Sequence, residues 1–391
     1  MSVVGLLDAV GLIVGVGMMI PALMPEKPPD PQATTTVNIG VGLHGNPGNR
    51  DPLDYKGDTP TITLYDQLGT LVGRSGSEGH VKAGGVVEMA IAHEKDMGGV
   101  KSEYMAVAAS GDDAICIQYI TTLWPDQESW GFLGDVGTLC DADWYYSDNV
   151  VANFDSSSQE PQSQLNRSSN CIWVDQNGSN HFRFQGFSFH ILDFSSSKDA
   201  DTDGRAKQYH DQPATMCKSD PRFKSWPKIS KDTVIPIFYD LIHYNSDNSD
   251  LDPKAVLDKK RWCYKDKHTK NKNGCSSTPP SKREARASSS NPAPPFMAGT
   301  VVKSHHGDHN ATHLCNSKTS KGPDFVSLSE GVFCDMEKKQ VWPLCSKEVA
   351  IGCFDVETNK MRPGPHGRRD SEGRRIPFKS YHKEIRWGGG I

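Results

Sequence analysis

Short stretches of alternating apolar and polar residues run through the first half of the chain and predict β-strands rather than helices. The alternating runs, with turn residues between them, are 34–43, 59–66, 86–92, 103–109, 114–124 and 181–192. No long run among them has the 3.6-residue apolar spacing of an amphipathic helix. Strands at this spacing favour an antiparallel β-sandwich or jelly roll, which we place at residues 34–200.

Outside the sandwich, composition divides the chain into six further segments. In chain order they are an apolar N-terminal helix or anchor, a proline-rich linker, a mixed extension, a basic low-complexity linker, a cysteine-rich unit and a basic tail, at 1–25, 26–33, 201–263, 264–296, 297–358 and 359–391. In the mixed extension, Pro236 restricts the apolar run 233–244 to an edge strand or a turn. The cysteine-rich unit is small enough to need cross-links. We therefore predict a mainly β protein, with one sandwich domain and a small disulfide-rich C-terminal region.

The apolar run 9–25 is open to three interpretations. It carries no charge, but it lacks the preceding basic residue and the small-residue cleavage site of a signal peptide. It is also shorter than the roughly 20 residues that span a bilayer. Gly11 and Gly15 fit a small-xxx-small helix-packing face. The run is therefore an atypical signal or anchor, a self-association helix, or a helix packed on the body.

Composition and charge narrow the class of protein. Hydrophobic residues make up 36% of the chain and charged ones only 23%, with 36 Gly and 25 Pro in their place. This turn-rich composition argues against a helical bundle, a coiled coil or a polytopic membrane protein. Residues 1–200 hold 10 Lys+Arg and 25 Asp+Glu, a net of −15, and the other 33 basic and 23 acidic residues give +10. Such asymmetry favours halves that attract each other, within a chain or between copies, and a polyanion-binding tail is the alternative; the interrupted basic residues do not indicate nucleic-acid binding.

The cysteines predict disulfides and therefore an oxidising compartment. Their number is even and none forms a C-x-x-C pair, which disfavours a zinc ribbon or a thioredoxin-type site. Local spacing suggests that Cys263 pairs with Cys275 and that Cys334 pairs with Cys345, while the other pairings stay open. The ten cysteines are Cys116, Cys140, Cys171, Cys217, Cys263, Cys275, Cys315, Cys334, Cys345 and Cys353.

Two further motifs agree with a secreted or cell-surface protein. N-x-S/T sequons at Asn166, Asn177 and Asn310 are acceptors for N-glycosylation. Lys282-Arg283 has the form of a dibasic processing site in a linker, and a plain charged linker is the alternative interpretation. We expect an extracellular or cell-surface location.

Two clusters are candidate metal sites. Asp199, Asp201 and Asp203 match the first half of a calcium loop, but His210 occupies the position of its closing Glu, so a solvated acidic turn is the alternative. His305, His309 and His313 lie in a run of four histidines, which a surface cluster beside a sequon also explains. The sequence predicts no cofactor, with calcium as the one alternative.

The stretch 111–147 is rich in aromatic and acidic residues. Such residues can bind a sugar by stacking and by hydrogen bonds, or they can form the core and turns of a sandwich. The candidate ligand-binding residues are Trp124, Asp126, Trp130, Asp135, Trp144 and Tyr145. The pair Asp112 and Asp113 is a poor catalytic pair, because neighbours on a strand point to opposite faces. No G-x-S-x-G, H-E-x-x-H or P-loop motif is present, so we identify no catalytic residue and favour a non-enzymatic role.

The same stretch resembles a family of uncharacterised ascomycete fungal proteins, secreted or predicted to be so. The resembling residues in the first half are 111–117, 124–126, Trp130, 134–137, Cys140, 143–146, 171–173 and 184–186. Those in the second half are 322–327, 331–336 and 342–345. The resemblance implies a fungal extracellular or cell-surface protein and transfers no catalytic residue. The spacing of the first domain is also similar to that of PLAT-type sandwiches.

These observations together predict a secreted or surface-associated structural or binding protein. We expect it to form a homo-oligomer or filament, since opposed charges and strand edges both favour self-association. A carbohydrate- or lipid-binding module and a membrane-active toxin that uses the apolar N-terminus are the alternatives. A hydrolase whose site the sequence does not reveal is a further one.

Overall fold

The computed structural model describes most of the chain from residue 33 onwards. The described residues are 33–43, 55–76, 79–154, 165–178, 181–196, 203–265, 275–276, 297, 299–363, 369–370 and 373–388. The N-terminal segment 1–25 and the Lys282-Arg283 pair lie outside them. Within the described residues, none of the helices combines the length and the apolar character needed to cross a membrane.

Two antiparallel sheets form the predicted β-sandwich. The first contains, in spatial order, β10 (Trp144–Tyr145), β13 (Cys171–Val174), β8 (Ile115–Leu123), β1 (Thr34–Val41) and β6 (Val86–Ala92), and β8 also pairs with β9 (Ser129–Leu133), which pairs with β15 (Ser195–Ser196). The second contains β16 (Phe223–Trp226), β14 (Gly186–His190), β7 (Tyr104–Ala108), β3 (Thr61–Tyr65) and β4 (Leu71–Arg74). Two short pairs lie outside these sheets: β2 (Gly57–Asp58) with β5 (His80–Val81), and β11 (Val150–Phe154) with β12 (Leu165–Ser168).

The sandwich core lies between the two sheets. Phe132 of β9 stacks on Phe187 and Phe189 of β14, with ring centroids 5.3 and 4.4 Å apart. The inward side chains of β1 and β3 belong to the same buried cluster. Each of the six alternating runs of the sequence contains a strand of these sheets, so the mainly β fold with a sandwich is confirmed.

The second sheet extends beyond residue 200, where the sequence placed the end of the sandwich. Strand β16 is its outer strand and pairs with β14. A three-stranded sheet, in the order β17 (Pro236–Phe238), β18 (Trp262–Lys265) and β19 (Cys275–Ser276), packs its apolar residues against β7. As predicted for Pro236, β17 is an edge strand. Helix α1 (Asp135–Leu139) and a 3₁₀ turn at Ile191–Asp193 lie in the sandwich segment. The extension contains α2 (Asp203–Asp211), α3 (Ala214–Cys217) and two 3₁₀ turns at Ala255–Leu257 and Lys259–Arg261.

We call residues 299–388 the C-terminal unit. Its sheet runs in the order β23 (Gln340–Pro343), β22 (Val332–Asp335), β21 (Asp324–Ser327), β20 (Thr300–Ser304) and β26 (Lys383–Trp387). Strand β20 is parallel to both neighbours, and α4 (Ala311–Asn316) connects β20 to β21. A hairpin of β24 (Cys353–Asp355) and β25 (Lys360–Arg362) completes it. Strands β25 and β26 lie in the stretch that the sequence assigned to a basic tail, so that stretch is part of the unit.

The C-terminal unit contains an internal repeat that the sequence analysis missed. Residues 335–343 and 355–363 share the pattern Asp-x-Glu, followed by any five residues and then Pro. Both segments form a hairpin. In each hairpin the Asp side chain accepts hydrogen bonds from the backbone N–H groups two and three residues further on. Lys339 and Asn359 take the left-handed conformation at equivalent turn positions. Phe333 and Phe354 of the two hairpins stack at 4.4 Å.

All ten cysteines form disulfides, which agrees with an oxidising compartment. The predicted pair Cys263–Cys275 is present. The predicted pair of Cys334 with Cys345 is wrong, because Cys334 bonds Cys315 of α4 and Cys345 bonds Cys353. The β22–β23 turn between Cys334 and Cys345 is closed by strand pairing instead. The two remaining bonds, Cys116–Cys171 and Cys140–Cys217, span 55 and 77 residues of the sandwich and its extension.

Candidate functional site

The aromatic residues proposed for sugar binding lie inside the protein. Trp124, Trp130, Trp144 and Tyr145 are all buried. A sugar can stack only on an accessible ring, so these residues do not form the predicted binding face. Of the two alternatives that the sequence left open, their burial matches the sandwich core.

The two acidic candidates of the predicted binding face differ in burial. Asp135 is buried at the start of α1, where its carboxylate accepts a hydrogen bond from the Ser169 hydroxyl. Asp126 is exposed and pairs with Lys101, whose Nζ lies 2.6 Å from Asp126 Oδ2. Asp126 is thus the one accessible member of the set, and it has no accessible aromatic partner among the candidates.

Trp144, Tyr145 and Tyr146 instead join the sandwich to the C-terminal unit, and we call this contact the joint. The Trp144 indole N–H donates to Ser317 Oγ at 3.0 Å, and the Tyr145 hydroxyl donates to the Pro323 carbonyl at 2.8 Å. Backbone hydrogen bonds also run in both directions between Trp144 and the 319–321 segment. The joint is therefore both hydrogen-bonded and apolar.

Close approach at the joint depends on a glycine. A Cβ atom on Gly322 would lie 2.2 Å from the Tyr145 ring, which no side chain could accommodate without a shift. The rings of Phe325 and Trp387 surround Tyr145 at centroid distances of 6.1 and 6.3 Å. The motif stretches 143–146 and 322–327, which lie far apart in the sequence, therefore meet in the structure.

The histidine run also lies at the joint and does not form a single ligand set. His309 is buried, stacks on Tyr146 at 4.6 Å and shares a hydrogen bond with Ser304 Oγ, while His305 and His313 are exposed. His306, which the sequence analysis did not select, pairs its Nε2 with Asp148 Oδ1 at 2.7 Å. The described residues hold no group of three His, Cys, Asp or Glu side chains suited to a metal ion.

The remaining sequence motifs are only partly described. Asp199 and Asp201 of the calcium-type loop lie outside the described residues, and Asp203 is the first residue of α2. Asn166 is in β12, Asn177 follows β13 and is exposed, and Asn310 is the exposed N-cap of α4. Nothing in these positions tests glycosylation, which stays a prediction.

A buried ionic cluster, undetected in the sequence, ties the extension to the sandwich. Arg222 lies 2.9 Å from Asp193 and 2.7 Å from Asp250, and all three side chains are buried. Burial alone would raise the pKa of Asp193, but Arg222 and His190 outweigh it and hold that pKa well below its usual range. The His190 imidazole, 2.8 Å from Asp193, has a raised pKa because the carboxylates around it outweigh its burial. The cluster is arranged to hold charges in place.

Lys339 and Ser320 form a second unusual pair. Burial lowers the pKa of Lys339 to about 7, and its Nζ donates to the Ser320 carbonyl at 2.9 Å. A lysine with such a pKa could act as a general base for a serine nucleophile. However, Ser320 is buried and its hydroxyl donates to the Leu314 carbonyl at 2.7 Å. The hydroxyl is therefore not placed to attack a substrate.

The most exposed strand of the sandwich is β6, the last strand of the first sheet. Strand β4 approaches only the C-terminal end of β6, where Gly73 forms an isolated β-bridge with His93. Among the described strands, none pairs with the outer side of Val86–Ala90. Val86 is 50% exposed, and the small Ala90 is exposed on the same face. Within the described part of the chain, no strand covers this mostly apolar sheet edge.

Comparison with models of protein families and with curated proteins gives no match for this chain.

Proposed function

We propose that the protein is a secreted or cell-surface structural protein that self-assembles head to tail through its sheet edges. Strand β6 of one copy would pair with β26 of the next. The five disulfides support the extracellular part of the proposal, because such bonds persist in oxidising compartments. The open edge of β6 is the observation that carries the assembly part.

Open strand edges bind other strands unless they are protected. Proteins usually block them with charged side chains, proline, bulges or a covering element. The segment Val86–Ala90 contains no proline and no lysine, and its only charged residue is Glu88. A strand from a second copy would satisfy the outward backbone groups there and would bury the exposed Val86.

Strand β26 is the complementary edge in the C-terminal unit. It pairs only with β20 among the described strands, and it carries Lys383 and Arg386. Arg386 is largely exposed. Strand β6 lies in the acidic half of the chain and β26 lies in the basic half, so their contact brings regions of opposite net charge together. Pairing of β6 with β6 would instead bring two copies of Glu88 near each other.

A contact between two different surfaces does not close on itself unless its rotation happens to form a ring. The proposed pairing of β6 with β26 therefore gives an open chain of molecules. Its length should depend on protein concentration and on salt, because part of the attraction is between exposed charges.

Sedimentation velocity of the full chain at increasing concentration tests the proposal. The wild type should form a concentration-dependent series of oligomers at low ionic strength, and added salt should shorten it. Ala90→Lys should abolish the series by placing a cation against the basic β26, and adding Arg386→Glu to Ala90→Lys should restore it in part. Gln67→Lys adds the same charge at an exposed turn and serves as the control.

A wild-type protein that stays monomeric at every concentration would contradict the proposal. So would an Ala90→Lys variant that assembles as well as Gln67→Lys. Circular dichroism and the melting temperature of each variant show whether its fold is intact, so that a lost series reports on the edge.

A further inference from the structure

A second exposed surface lies at the far side of the C-terminal unit. Cys345 and Cys353 close a short loop, and its residues 346–351 are all exposed. Ser346 fixes the loop, since its hydroxyl accepts hydrogen bonds from the N–H groups of Glu348 and Val349. Ile351 is 48% exposed. The loop therefore holds an apolar side chain in solvent on a cross-linked frame.

Phe378 is the most exposed large apolar side chain described, at 89%. Its segment runs beside the same loop. The Met361 N–H donates to the Lys379 carbonyl, and the Gly352 N–H donates to the Arg362 carbonyl. A Cβ on Gly352 would lie 3.8 Å from Ile376 Cδ1. Phe378 and Ile351 therefore lie on adjoining segments. We call these two exposed side chains the apolar tip.

The surroundings of the apolar tip are basic. Residues 345–382 hold eight Lys+Arg and five Asp+Glu. The carboxylates of Asp355 and Asp370 pair with Arg362 and Arg374. The exposed Lys347, Lys360 and Arg375 add cations on the same segments. The acidic side chains of this region are in part neutralised, and its net charge is positive.

We infer that the apolar tip binds the surface of an anionic lipid bilayer. Phe378 and Ile351 would insert among the headgroups, where apolar side chains gain free energy by leaving water. The cations around them would contact the lipid phosphates and add to the attraction to an anionic surface. The Cys345–Cys353 cross-link reduces the entropy lost on binding, because the loop is already ordered.

An acidic protein surface is the alternative partner, since it carries the same negative charge as an anionic bilayer but offers a different apolar environment. The exposure of Phe378 favours the bilayer. Its ring is accessible on nearly all sides, as insertion into lipid requires, whereas a protein partner usually receives such an anchor in a shaped pocket. Binding to the bilayer is independent of the proposed pairing of β6 with β26, which uses other residues.

Vesicle co-sedimentation of the full chain tests this inference. Vesicles of phosphatidylcholine mixed with phosphatidylglycerol should bind the protein, and vesicles of phosphatidylcholine alone should bind it at least tenfold more weakly. Phe378→Ser should lower the partition coefficient for anionic vesicles by at least about tenfold, because the apolar ring that the bilayer would remove from water is lost. Lys347→Glu with Lys360→Glu should lower it by a similar factor.

Leu68→Ser is the matched control, because Leu68 is also an exposed apolar residue, at 58%, but lies in the sandwich. It should bind anionic vesicles like the wild type. Equal binding of the wild type to both kinds of vesicle, or equal loss for Phe378→Ser and Leu68→Ser, would overturn the inference. Ala90→Lys should bind vesicles normally, which separates this result from the assembly result.

Discussion

The sandwich and the C-terminal unit are stabilised in different ways. The sandwich has a large buried cluster, and its disulfides join residues 55 and 77 positions apart. The C-terminal unit has a separate core of eight buried residues and disulfides that close loops of 19 and 8 residues. A small core contributes little free energy, so short cross-links matter more there.

The two regions are nevertheless not independent. One side of the C-terminal sheet contributes Phe325 and Trp387 to the cluster that also contains Tyr145 of the sandwich. The small unit therefore obtains part of its core from its neighbour. We infer that it is held in its folded form by the joint together with its disulfides, whereas the sandwich depends mainly on its own core.

The largest effect is expected at the joint. Tyr145→Ala should lower the free energy of unfolding by about 4 kcal/mol, the range for deleting a large buried aromatic side chain. Guanidinium unfolding followed by tryptophan fluorescence measures the change. Tyr239→Ala removes the same side chain from an exposed position and should cost less than about 0.5 kcal/mol. Similar losses for both variants would show that the joint is not a shared core.

The second-largest loss of unfolding free energy is expected at the buried ionic cluster, which lies on the sandwich side of the molecule. Asp193→Asn leaves Arg222 and His190 without one of their buried anionic partners and should cost about 3 kcal/mol. Asp126→Asn, at the exposed pair with Lys101, should cost about 1 kcal/mol or less. Urea unfolding of both variants gives the comparison, and a loss for Asp193→Asn no larger than that for Asp126→Asn would contradict it.

Removing cross-links from the C-terminal unit should have an effect of about the same size or smaller. Replacing Cys315 and Cys334 by Ser should cost about 3 kcal/mol, from the entropy of the open loop. Replacing Cys345 and Cys353 should cost about 0.8 kcal/mol less, because that loop is shorter. Thermal melting under non-reducing conditions measures both. If neither pair changes the melting temperature, the unit does not depend on its disulfides.

The smallest effect should be a pH dependence at the joint. The hydrogen bond to Asp148 raises the pKa of His306 despite its partial burial, and Asp308 acts in the same direction. The neighbouring His309 has a lowered pKa, chiefly from burial, and stays neutral. Because the pKa of His306 is higher in the folded state, its contribution is complete below the unfolded value of about 6.5 and disappears as pH rises through the folded value.

The measurement is the free energy of unfolding between about pH 6 and pH 8. We expect the contribution of His306 to fall with rising pH in the wild type and in His305→Gln, whose side chain is exposed and lies next in the chain, while the neutral His309 contributes in the opposite direction. Asp148→Asn should flatten this part of the curve by about 1 kcal/mol or less. An unchanged slope in Asp148→Asn would assign the dependence to other groups.

The sequence predicted the parts of the fold that depend on local pattern. Alternation identified the strands of the sandwich, and the missing N–H of Pro236 correctly restricted its strand to an edge. The same approach misjudged residues 359–391, because a basic, polar composition resembles a disordered tail. There, Ile385 and Trp387 of β26 pack only after the chain returns to β20, which local pattern cannot show.

The sites were less predictable for a related reason. Aromatic and acidic residues have the same composition in a sugar-binding face and in a core, so only burial separated the two interpretations. The cluster of Arg222, Asp193 and Asp250 joins residues far apart in sequence, and no motif marks it. The repeat at 335–343 and 355–363 was visible in the sequence and could have been found by comparing the chain with itself.

Native-state hydrogen exchange of the full chain, with its disulfides intact, tests most directly whether the small unit shares its stability with the sandwich. If the joint is a shared core, the amides of β20 and β21 should exchange with nearly the same free energy as those of β8. In Tyr145→Ala, the free energies for β20 and β21 should fall below that for β8. A wild-type protein in which β20 and β21 open several kcal/mol more easily than β8 would contradict the account.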